Sequence, residues 1–519
     1  MTTSAAHSGH HRPRTRGRRR LASGVIALAA AIALAAGGCA SRGSGPGTPP
    51  SGTSRYPTIP AACVVGGLAA RCRYVWVPED WAHPRGPRIP LKVVVLPASA
   101  ARAAPDPLFF LAGWGGRATG FGDSAENGFA WATQAFAGLN RARDLVFVEQ
   151  RGTPGSAFQA CPGLPPMTAL NPAADRAWVR RCLAAARRDP RHDTTIAAAR
   201  DLDQVRNALG YNKISLFGVS YGVTLGLAYL QRFSAHVRTA VFDSGSLLNV
   251  RLEQLGEAHT RQAFGQIARD CATDPACARA YHPAADMAAV LAHLRAHPAR
   301  VSLPRPGYTT ARPQRLTITV PVFLGLVQNQ YLSTSLNSVW LPADLHAMAR
   351  GRWQQVIGKR EFTTDILPAP APVSMQDITI ECGDTWAAIS PAAARRQAGS
   401  LFAPVFTPAA AGAIQALCAA WPHDPGASGT VRSSVPVVFL NGTADPSDPP
   451  ANVAAAPRTM PRALLVSVPG AGHFVLNWTL NPGCLLTRTT AFIQSGRPGS
   501  RAAWERCART VAPFASPGS

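Results

Sequence analysis

Lys213–Leu230 reads KISLFGVSYGVTLGLAYL. An apolar run breaks at Gly218-Val219-Ser220-Tyr221-Gly222 and then resumes as a small-residue, helix-like stretch. In a buried strand a serine flanked by glycines wastes packing area, so the break makes sense if the serine is presented rather than packed. The G-x-S-x-G spacing imposes a sharp strand-to-helix turn, in which Gly218 and Gly222 remove side chains that would clash. Ser220 then stands on a strained corner where the helix begins, and the helix amides and dipole favour negative charge on an oxygen attacked there. The pentapeptide alone arises often by chance in a chain with 45 glycines, so its weight rests on context.

Working outward, RIPLKVVVLPA, PLFFLAGWGG and RDLVFVEQRGTPGS read as strands, the last two running into glycine-containing turns. TTIAAARDLDQVRNALG has a helical pattern, with apolar Ile196, Leu202, Val205 and Leu209 and a stop at Gly210. ISLFGVSYG and VRTAVFDSG are the next strands. Strands alternating with helices predict an α/β fold with a mostly parallel sheet, whose ligands gather at the carboxyl ends of the strands. From about Leu247 to Thr430 the strand rhythm fades into alanine-rich helical segments such as DMAAVLAHLRAH and ADLHAMARGRW. Strands return in VPVVFLNGTADPSDPP and ALLVSVPGAGHF. A helical insertion placed over strand ends is the form a lid takes.

A serine nucleophile needs a base in contact, and the base needs an acid to orient it. Asp445 follows the strand VPVVFLNG in a proline-containing turn, and His473 follows LLVSV in PGAGHF, where small neighbours let the imidazole reach inward. Asp448 rivals Asp445; Asp445 is preferred because it comes sooner after its strand. An oxyanion hole would take one amide from Tyr221 and another from the loop LAGWGGRATG. As a dinucleotide fingerprint that loop has the wrong glycine spacing and no acidic residue at the proper distance.

Length and composition agree with a large core plus a substantial insertion. The chain has 519 residues, 46% of them hydrophobic and 15% charged, which describes a globular protein. The formal charge of +24 falls to +18 beyond the six arginines that precede Leu21. The remaining charges are scattered, without a basic helix or interleaved aromatics, and only Lys92, Lys213 and Lys359 are lysines. No nucleic-acid partner is expected from that pattern. RPRTRGRRR followed by LASGVIALAAAIALAAGG reads as an export signal. It ends in LAAGGC, similar to a bacterial lipoprotein box with Cys39 as the lipidated residue; Ala36 stands where leucine is usual, and simple cleavage near Ala40 is the alternative. The arginine pairs also suggest twin-arginine export, a weaker signal. The cysteines number 11, and setting Cys39 aside leaves neighbouring couples: Cys63 with Cys72, Cys161 with Cys182, Cys271 with Cys277, Cys382 with Cys418, and Cys484 with Cys507. In an exported chain that arrangement predicts disulfides, with connectivity open, and no spacing suggests zinc. No metal and no cofactor is expected. The expected organisation is a signal peptide (1–38), a Gly/Ser/Pro tether (39–57), a first core part (58–246), a helical cap (247–430) and a second core part (431–519).

Taken in order, CRYVWVPEDWAHPRG, AGWGG, LVFVEQRGTPGS, AARDLDQVRNALG, GVSYG, LNGTADPSDPP and PGAGHF resemble the secreted tripeptidyl aminopeptidase and prolyl iminopeptidase branch of the α/β-hydrolases. The resemblance runs from about Cys72 to His473, and the paired-cysteine tail after Cys484 fits it. It implies an α/β-hydrolase fold with a helical cap between the nucleophile half and the Asp/His half, and a C-terminal TAP-like region. It also implies a serine exopeptidase acting on peptides with free N-termini, with Ser220 as nucleophile and Asp445 and His473 as partners. The order Ser, Asp, His is that of the superfamily. The branch usually has Gly-Gly-Pro-Gly in its early loop, whereas here Trp114 replaces the second glycine and Gly115 the proline. A backbone amide from Trp114 can still serve the oxyanion hole, while its indole narrows the adjacent subsite. Acidic groups in the cap would hold the substrate's ammonium, and Asp384 and Glu381 in IECGDTW are the candidates; the alternative is that both are solvated or support the Cys382 bridge.

Three functions compete on these grounds. An envelope-bound or secreted aminopeptidase would attach to the membrane only through its N-terminal lipid. A carboxylesterase or lipid-ester hydrolase would use the same triad. A hydrolase-fold lipoprotein that only binds peptides would not need all three groups. The sequence leaves the oligomeric state and the length of peptide released open.

Overall fold

The computed structural model describes residues 61–113, 118, 128–161, 172–303, 314–332, 338–357, 373–386, 389–405, 407–477 and 482–509. The expected signal peptide, the tether, Cys39 and Trp114 lie outside the described residues. No helix among the described residues is long and apolar enough to cross a membrane.

Thirteen strands are described: β1 Ala61–Val65, β2 Leu68–Pro78, β3 Arg88–Leu96, β4 Leu108–Leu111, β5 Leu145–Val148, β6 Ala160–Cys161, β7 Ile214–Val219, β8 Val237–Asp243, β9 Ala299–Leu303, β10 Gln314–Ile318, β11 Val373–Ser374, β12 Val437–Gly442 and β13 Ala463–Val468. Nine of them form one sheet in the order β1-β2-β3-β5-β4-β7-β8-β12-β13. β1, β2 and β3 run antiparallel, as do β3 and β5, and from β5 across to β13 every pairing is parallel. This is the mostly parallel α/β sheet expected. Its central strands are continuous apolar runs because helices cover both faces; ISLFGV of β7 and VVFLNG of β12 are buried throughout.

One face of the sheet packs on the helices Thr195–Ala208 and Tyr221–Phe233, through residues such as Leu202, Val205, Leu225 and Tyr229. The first of these starts where Thr194 accepts a hydrogen bond from the Ala197 amide at 3.2 Å, a side-chain cap that satisfies an otherwise orphaned donor. The opposite face packs on Phe129 and Phe136 and on the C-terminal helices Gly483–Ser495 and Arg501–Ala508, which contribute Phe492 and Trp504. β1 and β2 precede the first strand read from the sequence. β2 lies near the sheet edge and exposes much of its length, so it carries a weak apolar signal.

Between β8 and β12 the described residues are mostly helical and form two large cores, with a small third cluster of Ile389, Ala394, Ala411 and Ile414. The first joins the helices Leu252–Thr273, Pro283–Ala296 and Leu341–Ala349 around Phe264, Leu291, Phe323, Leu345 and Phe402. It includes the antiparallel pair β9–β10, strands the helical reading did not anticipate, in which polar and apolar residues alternate as RVSL and RLTI. The second core places residues 373–421 against a helix from before the nucleophile, Pro172–Ala184, through Trp178, Val179, Met375, Ile378, Leu417 and Trp421. There β11 pairs with β6, and the Trp421 indole donates to Thr379 Oγ1 at 2.9 Å. Five disulfides join the neighbouring couples expected: Cys63–Cys72, Cys161–Cys182, Cys271–Cys277, Cys382–Cys418 and Cys484–Cys507.

Candidate active site

β7 ends in a corner held by backbone crowding. Ser220 has φ 54° and ψ −120°, a conformation that L-residues avoid and that persists only when its surroundings enforce it. Its amide donates to the Asp243 carbonyl at 3.0 Å, and its own carbonyl accepts from the Val223 amide at 2.8 Å, so the chain leaves the strand and enters the helix within one residue. A Cβ at Gly222 would lie 2.1 Å from the Leu111 carbonyl oxygen and 2.7 Å from its carbon. Both are backbone atoms of β4 and have nowhere to go. Gly222→Ala is therefore expected to lose at least about 3 kcal/mol, the upper range for overpacking, together with activity. A urea unfolding midpoint measures this, and a stable, active variant would contradict the tight elbow.

The imidazole of His473 sits on the serine. Its Nε2 is 2.9 Å from Ser220 Oγ, and its Nδ1 is 2.8 Å from Asp445 Oδ2. A carboxylate can only accept, so Nδ1 carries a proton in either charge state of the ring, and in the neutral ring Nε2 is left to accept from the serine hydroxyl. The other Asp445 oxygen accepts from the amides of Ser447 and Asp448, both at 2.8 Å, which locks the acid in its turn after β12. Asp445 is thus the orienting acid by geometry. Asp448 Oδ2 stands 3.8 Å from the same Nδ1. Burial works against a charge on His473, yet Asp445, Asp448 and Asp243 together raise its pKa to about 9.

The histidine loop is anchored by two residues that the sequence reading passed over. Asp243, buried at the end of β8, accepts from the amides of Val475 and Leu476, each at 2.9 Å, and Ser244 Oγ accepts from the Phe474 amide at 2.9 Å. Burial raises Asp243 to about 6, against the hydrogen bonds from Leu476, Ser244 and Val475. Phe474 adopts φ 61° in this grip. Gly442 completes the arrangement: a Cβ there would lie 2.1 Å from the Ala471 carbonyl oxygen, so β12 and the loop could not approach.

For an oxyanion, the Tyr221 amide follows the nucleophile directly at the start of its helix. The early loop also comes close: a Cβ on Gly113 would be 3.5 Å from Ser220 Cβ. Trp114, the expected second donor, lies outside the described residues. The Tyr221 side chain turns away into a buried polar chain. Its hydroxyl meets Gln150 Nε2 at 2.7 Å and Thr195 Oγ1 at 2.8 Å, and Thr195 in turn donates to Asp384 Oδ2 at 2.5 Å. The Ala427 amide donates to the other Asp384 oxygen. Burial, then the Asp384 charge, pushes the Tyr221 hydroxyl up, and burial raises Asp384 to about 6 against the bonds from Thr195 and Ala427. Asp384 and Glu381 share the turn Glu381–Thr385, whose Cys382 is bridged to Cys418. Asp384 thus sits two hydrogen bonds from the side chain that follows the nucleophile, and it also braces the 424–427 segment. Gln150 and Thr195 were not singled out from the sequence, since a polar residue at a strand end or helix start carries no pattern of its own.

Asp445, Asp448 and His473 are the cluster among the described residues whose donor atoms converge within 4.8 Å, close enough for a metal ion. The hydrogen bonds above already engage them as an acid–base array.

The chain matches the α/β hydrolase fold family over residues 106–344 and the TAP-like protein family over residues 403–502. It is 33% identical over 193 residues to the tripeptidyl aminopeptidase of Streptomyces lividans, covering 34% of this chain and 35% of that protein. It is 34% identical over 96 residues to serine protease Hip1 of Mycobacterium tuberculosis, covering 18% of each. The chain thus spans about a third or less of the length of these curated relatives. Among solved structures, the proline iminopeptidase of Mycobacterium smegmatis aligns at a TM-score of 0.36 and 15% identity over 82% of this chain and 98% of that one, too distant to carry an argument. With the elbow serine, the Ser-Asp-His order and both family matches falling on the sheet and its insertion, the chain has the α/β-hydrolase fold, and its residues 403–502 resemble the TAP-like region.

Proposed function

We propose that the protein is an exported serine aminopeptidase that cleaves short peptides from free N-termini through an acyl-enzyme. The observation that carries the hydrolytic step is His473 bridging Ser220 at 2.9 Å and Asp445 at 2.8 Å. In this reading Ser220 Oγ attacks the scissile carbonyl as its proton passes to His473 Nε2. The amides of Tyr221 and Trp114 receive the oxyanion. The imidazolium gives its proton to the leaving amine, and water, activated by the same nitrogen, releases the acyl group and restores Ser220.

The peptidase assignment draws support from the tripeptidyl aminopeptidase and Hip1 relatives. The helical segment between β8 and β12 would cover the pocket, with Asp384 and Glu381 receiving the substrate's ammonium from the turn they share. Five disulfides and the apolar run after RPRTRGRRR support export, with Cys39 as the point of lipid attachment.

The test uses paired fluorogenic tripeptides, one with a free and one with an acetylated N-terminus, alongside a short-chain p-nitrophenyl ester. The free-amine peptide is expected to turn over at least about a hundredfold faster than its acetylated twin, the range expected when a buried ionic contact is lost. Equal cleavage of the two peptides sinks the free-N-terminus requirement. Cleavage of the ester alone transfers the protein to the carboxylesterase reading.

A further inference from the structure

The triad leaves one buried carboxylate unused. Asp448 is 6% exposed and has no basic residue in contact other than His473 among the described residues. Three separate elements fix its position. Ser246 Oγ, just past β8, donates to Asp448 Oδ1. Asn452 Nδ2 donates to that same Ser246 oxygen at 2.8 Å, so the serine's own proton is directed to the carboxylate. Asn441 Nδ2 in β12 donates to the Asp448 carbonyl at 2.8 Å, and the Asp448 amide donates to Asp445 Oδ1 at 2.8 Å. With Oδ1 occupied by Ser246, Oδ2 is the oxygen that faces Nδ1 of His473, at 3.8 Å.

A turn carboxylate with a merely structural task would be expected at the surface, where its charge costs little. Here two carboxylates converge on one edge of one imidazole, and two such groups share their titration with the ring between them. We infer that Asp448 is a second positioning acid for His473, a carboxylate held on the Nδ1 edge that supports the ring alongside Asp445 and takes over the hydrogen bond from Nδ1–H when Asp445 cannot accept it. The inference rests on the serine-hydrolase reading above. Burial, with Asp445 adding to it, raises Asp448 to about 7, so its charge changes near neutrality while Asp445 keeps the ring in place. The other titratable groups around this pair are Asp243 at the end of β8, which acts on His473, and His259 of the helix Leu252–Thr273, which acts on Asp445.

The test measures the second-order rate constant for phosphonylation of Ser220 by a fluorophosphonate probe, which needs the base but no particular substrate. Wild type, Asp445→Asn, Asp448→Asn and the double variant are compared across pH, with circular dichroism to check folding. Loss of a triad acid ordinarily costs roughly 10⁴-fold. The double variant is expected to lose about that much, and Asp445→Asn only about 10²-fold, because Asp448 then accepts the hydrogen bond from Nδ1–H. Asp448→Asn alone is expected to move the acid limb of the rate profile to lower pH: a negative charge that favours protonated His473 is gone, so the free base persists further into acid. An Asp448 without an electrostatic hold on the ring would leave that limb in place. Coincidence of Asp445→Asn with the double variant, or an unmoved limb, overturns the inference. Should Asp445→Asn fail to fold, the limb of Asp448→Asn decides by itself. Absence of labelling in the wild type would instead overturn the serine-hydrolase reading.

Discussion

Ser220→Ala is expected to lower turnover by about 10⁶-fold, the scale on which a triad nucleophile acts as one unit with its base, while the protein stays folded. The structure explains why the two effects separate. The backbone conformation at φ 54° is already borne by a residue with a Cβ, so alanine adds no new strain. The hydroxyl that is lost bonds His473 Nε2, at a half-buried position open to solvent exchange. The thermal midpoint should therefore correspond to a change of no more than about 1 kcal/mol, ordinary for a substitution without a cavity. Ser220→Gly should be equally inactive yet more stable than Ser220→Ala by about 1 kcal/mol or more, since glycine occupies that conformation without cost. Residual turnover near the wild-type level in either variant would remove Ser220 from the reaction. An alanine variant more stable than the glycine one would contradict the strained elbow.

The second large effect lies beneath the site. Arg151 is fully buried, and all five of its N–H donors are used. Two pair with Asp201 at 2.6 and 2.7 Å, and three reach the carbonyls of Glu79, His192 and Pro78 at 2.8, 2.9 and 3.0 Å. Asp201 also accepts from the Trp81 indole at 2.8 Å. One guanidinium thus ties the exit of β5 to the end of β2, to the segment before the helix Thr195–Ala208, and to that helix itself. Arg151→Met fills the volume but leaves a buried carboxylate and three carbonyls unanswered, so a loss of about 3–5 kcal/mol is expected. Arg151→Lys should not restore it, because an ammonium is not a planar fork. The double variant Arg151→Met/Asp201→Leu should recover a good part of the loss, since the isolated charge goes with its partner. Chemical denaturation reads all three; a single-variant loss under about 1 kcal/mol would show that water reaches the pair. Gln150 and Thr195 flank this anchor and both bond the Tyr221 hydroxyl, so loosening Arg151 should also lower turnover in the fraction that remains folded.

How much of the site could be read from the chain depends on how local its causes are. Ser220 was legible because its signal is local: an apolar strand, two glycines at fixed spacing, then a small-residue helix. Asp445 and His473 were legible for a similar reason, each sitting in a turn of small residues and prolines after an apolar run. Choosing Asp445 over Asp448 from the sequence used only distance from the strand, and the coordinates separate them by 2.8 against 3.8 Å from the same nitrogen. Asp243, Ser244, Gln150 and Thr195 left no such trace. They matter because the sheet order sets the exits of β5, β7 and β8 and the turn after β13 around one corner, and no short window of sequence contains that order.

The inserted region shows the same division. Its helices were readable from alanine-rich stretches of good helix formers. That the chain from 373 to 421 would pack on the helix Pro172–Ala184, which lies before the nucleophile, was not, since that contact joins residues some two hundred positions apart. The sequence by itself determined the α/β class, the elbow, the order of the three reacting groups and the neighbouring cysteine couples, because each is enforced by backbone sterics, strand and helix periodicity or short chain separation. Only the tertiary structure decided which carboxylate meets His473, what holds the histidine loop, and how Asp384 is joined to Tyr221. Those are distances of a few ångströms between segments far apart in the chain, and packing of the whole sheet sets them.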